Sequence, residues 1–273
     1  MPTPTALTIA GSDSSGGAGA QADLKTFAAH GVYGTSAITA ITSQNTVGVR
    51  AIHELPADVV ISQIEAVAED LDIHATKTGM LASKAIVKAV VALLERRALP
   101  NVVVDPVMVA KSGDSLLSQD ALDAVQYDLL RLATVVTPNA AEAAVLADMP
   151  VITVADARRA AERIRERGSR AVIVKGGHLG DKDAVDVLVD EKGYHELRGP
   201  RIQTRATHGT GCTFAAAIAA NLALGCSLRE SADRAKQYVT GALQHGLAIG
   251  HGHGPLNHFW FLQLRRPERV DEW

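Results

Sequence analysis

An α/β fold, with a mostly parallel sheet sandwiched between helix layers, is predicted by two features of this 273-residue chain. Short β-rich runs alternate with longer helical ones almost throughout, which is the order that lays parallel strands side by side. Two of the runs, NVVVD and RAVIVK, are unbroken apolar stretches, as strands buried on both faces require. With no internal repeat, low-complexity tract or linker, residues 1–273 are expected to form one domain.

Each element has a local reason. ALTIAG reads as a strand, followed by a glycine-rich turn and a helix, AQADLKTFAAHG, that stops at Gly31. VYGTSAITAITSQN is the second strand segment. From Asp58 to Leu71, Val60, Ile64, Val67 and Leu71 share one helical face. IHATKTGM is a strand, Ser83 to Leu99 a helix, and NVVVDPV a strand. A helix from Ser118 leads to the strand TVVTPN, and another begins at Asn139. The spacing predicts a helix over Asp156–Arg167, ended by Gly168 before RAVIVKGG. VDVLVD and GYHEL form a hairpin across EKG, and helices from Gly211 and Ser227 complete the domain.

Composition excludes several classes. The chain is 47% apolar and 21% charged, ordinary for a soluble globular protein. A net charge of -3 provides no basic footprint for nucleic acid. The Arg-rich pieces around Arg158–Arg170 and Arg265–Arg269 alternate with acids and read as solvated faces. The amino terminus does not read as a secretory signal, and the apolar run Phe214–Ala223 is far short of the roughly 20 residues that span a bilayer. Cys212 and Cys226 lie about 20 Å apart along one helix, too far to bridge. A cytoplasmic protein with no membrane partner is expected.

Gly11, Asp13, Gln44, Asn45, Gly79, Asp105, Asn139 and Lys175 all fall at carboxyl ends of predicted strands, the rim where open α/β sheets bind ligands. In GSDSSGGAGAQADLKTF, Gly17, Gly19 and Ala22 formally fit a dinucleotide fingerprint. The acid it needs near the end of the second strand is absent from Thr35–Asn45, and no Walker P-loop occurs anywhere.

THGTGCTFAAAIAA has stronger chemistry. Gly209, Thr210 and Gly211 open a helix whose first N–H groups have no internal acceptor, so the turn suits a phosphoryl group. Cys212 sits in that field, which predicts a thiol of lowered pKa able to deprotonate an alcohol that attacks phosphorus.

Taken together, TIAGSDSSGGAGAQADLKTF, ITAITSQNTVGV, KTGML, VVDPVMVAKSGDSLL, TPNAAEAAVL, VIVKGGH and THGTGCTFAAAIAA resemble the hydroxymethylpyrimidine/phosphomethylpyrimidine kinases of thiamine biosynthesis, in the ribokinase-like superfamily. The likeness runs from about Leu7 to the GHGHGPLNHF tail. It implies a three-layer α/β/α domain without a large lid and a homodimer. The implied reaction is Mg-ATP-dependent phosphorylation of 4-amino-5-hydroxymethyl-2-methylpyrimidine and then of its monophosphate. By the same resemblance Gly11, Asp23 and Gln44 bind the pyrimidine, with Met80 and Val107 packing on it. Gly209 to Cys212 match the phosphate hole, with Cys212 as base, and Asp105 and Glu142 match acids near the metal. Asn139 and Lys175 would contact the nucleotide, and Lys111 lies in a segment matching a mobile flap over the site.

A Gln amide complements an aminopyrimidine edge, which offers a donor beside a ring-nitrogen acceptor. Ser14 stands where the family often has proline, and Ser43 where alanine is common. The Ser14 change is expected to loosen the loop without removing a chemical group. His251, His253 and His258 read as a polar glycine-rich tail. Two rival readings are a pyridoxal kinase of the same superfamily and a non-catalytic pyrimidine-binding regulator.

Overall fold

In a computed structural model, which describes residues 3–108, 118–177, 179 and 183–263, nine strands form one sheet. The strands are β1 (Thr5–Asp13), β2 (Tyr33–Gln44), β3 (Val49–Glu54), β4 (Ala75–Thr78), β5 (Val102–Val104), β6 (Val135–Val136), β7 (Val172–Val174), β8 (Asp183–Asp190) and β9 (Gly193–Pro200). Their order is β3-β2-β1-β4-β5-β6-β7-β8-β9. β2, β1, β4, β5, β6 and β7 pair in parallel, whereas β3, β8 and β9 each join antiparallel.

The helices are α1 (Gly19–Ala29), α2 (Ala57–Asp70), α3 (Lys84–Arg97), α4 (Gln119–Ala124), α5 (Ala140–Ala147), α6 (Val154–Arg165), α7 (Thr210–Ala223), α8 (Leu228–Gln244) and the short α9 (Trp260–Gln263). Side-chain alternation along the strands divides the interior into two cores. Leu7, Ile9, Val102, Val104, Val172 and Val174 pack with α2 to α6. Ala6, Val103, Val135 and Ile173 point the other way, against α1, α7 and α8. That gives the three layers expected, the central strands being apolar on both sides.

The departures have physical reasons. The expected strand IHATKTGM pairs only over Ala75–Thr78, because Gly79 and Met80 leave the sheet at its rim. β3 had no alternating pattern to reveal it, since five of its six residues are exposed, and its pairing with β2 alone makes it a strand. The helix expected from Asp156 starts at Val154, with Thr153 and Asp156 forming a reciprocal cap. Beyond α4 the chain tightens through a π turn, Val125–Leu129, and a 3-10 turn, Leu130–Leu132.

Two topological facts place a site. The chain leaves β1 toward β2 and returns on β1's other side as β4, which makes a switch point between β1 and β4. Alanine-rich α7 is buried from Thr213 to Ala223. Its small side chains let it lie close on the sheet, and its amino end comes out at the same rim.

Candidate active site

Asp13 closes β1 and organises the glycine-rich loop that follows. Its Oδ1 accepts from the Ser15 N–H at 2.9 Å and from the Ser15 hydroxyl at 2.8 Å. Its Oδ2 accepts from the N–H groups of Gly17 at 3.1 Å and Ala18 at 2.8 Å. Those N–H groups are thus turned on Asp13 and are not free to cradle a pyrophosphate, which is why the formal dinucleotide fingerprint has no dinucleotide geometry. The same Oδ2 lies 2.8 Å from His208 Nε2. Burial alone would raise the Asp13 pKa, but the bonds from His208, Ser15 and Ala18 draw it below the usual carboxylate value.

The second glycine turn is pressed on the first. Gly209 caps α7 at φ +82°, and a Cβ placed there would sit 1.8 Å from the Gly17 carbonyl oxygen. Only glycine meets both demands. The Thr210 hydroxyl donates to the Thr207 carbonyl at 2.7 Å and holds the turn's shape. A Cβ on Gly211 would lie 3.1 Å from Lys175 Nζ and 3.8 Å from Asp105 Oδ2. The first turn of α7, with the N–H groups of Gly211 and Cys212, therefore opens toward a lysine and a carboxylate.

Asp105, at the end of β5, is buried and accepts from Lys175 Nζ at 2.9 Å. Lys175 follows β7 and pairs with Asn139 across a single parallel bridge. Asn139 caps α5: its Oδ1 accepts from the Glu142 N–H at 2.9 Å while Glu142 Oε2 accepts from the Asn139 N–H at 2.7 Å. Burial pushes the Glu142 carboxyl up to about 7, with Lys175 pulling it down and the Asp105 charge raising it. Asn139 and Glu142 thus hold each other beside Lys175 and Asp105.

Two expectations are corrected here. Asp23 was expected on the pyrimidine, but it has no exposure at all: its Oδ2 accepts from Lys77 Nζ at 2.8 Å and from the Thr8 hydroxyl at 2.6 Å. It is the counter-ion of a lysine inside β4 and has no surface open to solvent. Burial raises its pKa, against the opposing charge of Lys77.

The Cys212 thiol was expected to be acidic. Burial instead pushes it up to about 11; Lys77 pulls it down, while Asp105 and Asp23 add to the rise. Desolvation of a thiolate exceeds what one helix end supplies. Cys212 is a largely buried thiol at neutral pH, accepting from the Gly19 N–H.

On the other side of the cleft, Gln44 ends β2. The Ser14 hydroxyl donates to the Gln44 carbonyl at 2.7 Å and accepts from its N–H at 2.8 Å. Serine was expected to loosen this loop, and it ties it down instead. Gln44 Oε1 accepts from the Thr42 hydroxyl at 3.2 Å. Gln44, Gly48, His208 and His253 line one shallow, open cleft. A second runs past Gly79, Asp105, Val107 and Val125. Gly11 faces Met80, whose Cε would be 2.6 Å from a Cβ there, so the methionine is seated against bare backbone at the switch point. Lys111 lies outside the described residues.

Two side chains, Lys77 and His208, were missed as contributors to this region. Lys77 was signalled by KTGM, a charge within a run otherwise assigned to a buried strand. His208 and Asp13 are 195 residues apart, and nothing local announces their bond. The tail also departs from expectation. His258 is buried against the Thr213 hydroxyl at 3.1 Å, and the Tyr238 hydroxyl donates to its carbonyl at 2.7 Å.

Comparison with known proteins gives the family. The phosphomethylpyrimidine kinase family model matches residues 13–257. A hydroxymethylpyrimidine/phosphomethylpyrimidine kinase of Synechococcus elongatus is 50% identical over 261 residues, covering 95% of this chain and 99% of that one. One of Rhizobium meliloti is 51% identical over 260 residues, covering 94% and 97%. Among solved structures, the phosphomethylpyrimidine kinase of Clostridium difficile superposes with a TM-score of 0.79 at 43% identity, covering 88% of this chain and 99% of that one. The pyridoxal kinase of Bacillus subtilis, solved with ADP, superposes at 0.88 with 37% identity, covering 97% and 100%. With a likeness that spans both glycine loops and the rim between them, the chain belongs to the phosphomethylpyrimidine kinase family.

Proposed function

We propose that this enzyme transfers the terminal phosphoryl group of ATP to 4-amino-5-hydroxymethyl-2-methylpyrimidine, and then a second one to the monophosphate formed. One observation carries the reading: the first turn of α7 opens on the Asp105–Lys175 pair while Gln44 faces the same rim across the Asp13 loop. The pyrimidine edge lies on the Gln44 amide, with Gly11, Met80 and Val107 around the ring. The transferred group rests on the N–H groups of Gly209 to Cys212, whose dipoles take up its charge without reorganising. Lys175, Asn139 and Lys111 belong to the nucleotide side.

In the first step the hydroxymethyl oxygen forms a bond to the terminal phosphorus as the bond to the ADP oxygen breaks. The resting Cys212 thiol must first lose its proton to solvent, a step that burial disfavours and the Lys77 charge favours. Phosphoryl transfer is loose, so the alcohol keeps its proton until late, and the Cys212 thiolate then takes it and returns to the thiol. In the second step a phosphate oxygen, already ionised, attacks and needs no base.

Magnesium fits the residues present. Two carboxylates from different elements, Asp105 and Glu142, share one charged neighbourhood, and burial raises the Glu142 carboxyl to about 7, with Lys175 lowering it and Asp105 adding to the rise. Among the described residues no group of three or more His, Cys, Asp or Glu could hold a metal. Magnesium is commonly bound by one or two carboxylates together with substrate phosphates, which matches this donor set. Bound there, the ion would neutralise charge on the nucleotide phosphates.

The reading extends to one kinase domain, acting in the cytoplasm as a homodimer. No helix among the described residues is long and apolar enough to cross a membrane. The B. subtilis pyridoxal kinase superposition supports a second reading, phosphorylation of pyridoxal at the same site. Mass spectrometry of products from ATP, magnesium and either alcohol tests both readings. Mono- and diphosphorylated pyrimidine are expected, and turnover of pyridoxal alone would replace the first reading with the second.

A further inference from the structure

We infer that Asp13 and His208 form a clasp that fixes the distance between the loop presenting Gln44 and the turn presenting Cys212. The inference deepens the function proposed above and rests on it for the roles of those two residues. The observation is a chain of short links across the whole rim. Gln44 is tied through both backbone groups to the Ser14 hydroxyl. Ser14 adjoins Asp13, whose Oδ2 meets His208 Nε2 at 2.8 Å, and His208 adjoins Gly209 at the cap of α7.

The details argue for a built connection. Both side chains are almost fully buried, with 3% and 6% of their surface exposed. An ionised carboxylate can only accept, so His208 Nε2 carries the hydrogen and the ring's orientation is set. The ring is packed on the first loop as well: a Cβ at Gly17 would lie 2.3 Å from His208 Cδ2. From the other side the His208 N–H donates to the Gly254 carbonyl at 3.0 Å, and His208 bridges Pro255 in parallel register. His208 is therefore gripped at ring and backbone by the first loop and the carboxy-terminal segment.

Asp13 has hydrogen bonds on both carboxylate oxygens, so it is not free to act on a substrate. It is a positioning residue, and so is His208. Their effect should fall on the rate of transfer, because displacing reacting atoms by about 1 Å can slow a reaction roughly 100-fold. Each half-site, taken alone, stays intact when the clasp opens.

The test compares His208→Leu, His208→Gln, Asp13→Asn and the Leu/Asn double variant. Measured for each are kcat, the affinities for the pyrimidine and for ADP by calorimetry, and the folded fraction by thermal melting. His208→Leu should lower kcat per folded molecule by about 30- to 100-fold and shift each affinity less than about threefold. Glutamine, which can still donate to Asp13, should recover most of the rate. The double variant should be no slower than the slower single one, as expected for two halves of one contact.

A kcat within threefold of the parent in the leucine variant would overturn the inference. So would a loss carried wholly by affinity, or a glutamine variant as slow as the leucine one. If the leucine variant does not fold, Asp13→Asn carries the same comparison. Should the parent phosphorylate only pyridoxal, the substrate assignment fails while the clasp is measured on that alcohol.

Discussion

Lys77 Nζ lies 2.8 Å from Asp23 Oδ2, and neither side chain reaches solvent. The pair sits beneath the first turn of α7, where its positive member opposes the burial that keeps Cys212 protonated. The second carboxylate oxygen, Asp23 Oδ1, has no hydrogen-bond partner. A buried pair broken on one side leaves an uncompensated charge. Lys77→Met should therefore lower unfolding stability in urea by about 3–5 kcal/mol. Removing both charges, as Asp23→Asn with Lys77→Met, should return most of it. A double variant as unstable as the single would show that the pair's worth is not electrostatic.

Cys212 should matter unequally to the two transfers. Only the first removes a proton from an alcohol, so Cys212→Ala should slow it by roughly 100- to 10,000-fold, the usual range for a general base. The second transfer should fall by less than about tenfold. Rates measured separately on the free pyrimidine and its monophosphate decide this, and equal losses would remove Cys212 from the role of base.

Gly209 has two reasons to be glycine, its φ of +82° and the Gly17 carbonyl where its Cβ would go. Gly209→Ala should cost on the order of 3 kcal/mol from backbone strain and the displaced loop. Activity per folded molecule should drop too, since the displaced strand of contact is the one under the phosphate turn. Chemical denaturation with parallel assays reads both, and a neutral substitution would mean that the loops do not touch.

Ser14 holds Gln44 by its backbone and joins it to the Asp13–His208 clasp, so it should act on recognition and on transfer. Ser14→Ala removes two hydrogen bonds and should raise KM for the pyrimidine about fivefold, roughly 1 kcal/mol, and lower kcat as well. An unchanged KM and kcat would contradict this assignment.

His258 predicts a pH dependence of stability. Burial, helped by the Lys25 charge, pushes its pKa down to about 4 from the usual value near 6.5. The unfolded chain then binds a proton that the folded one refuses, so stability is full above about pH 6.5 and declines as pH falls toward 4. His258→Gln should lessen the decline between pH 7 and pH 4.5 by about 2–3 kcal/mol. Parallel slopes for parent and variant in urea titrations at the two pH values would sink the idea.

Much of this was legible from residue order. The alternation of NVVVD-type runs with amphipathic helices implied parallel strands between helix layers, because backbone pairing and apolar burial leave few other arrangements. Gly209 to Cys212 before an alanine-rich helix announced an anion turn, since unpaired N–H groups at a helix start are a local property. Asp105, Asn139 and Lys175 were marked by their place at strand ends and Glu142 by the family resemblance, and the four lie together. What remained hidden depended on partners far along the chain. Asp23 is an inner counter-ion because Lys77, 54 residues later, is folded beneath it. Cys212 is not acidic, because desolvation by its neighbours outweighs the helix end, and burial is a sum over the whole fold. The bond from His208 to Asp13 exists only once α7 has packed against β1's loop. A hydrogen bond or a solvent-exclusion energy between distant segments leaves no periodic trace, and for that reason it waits on the packed structure.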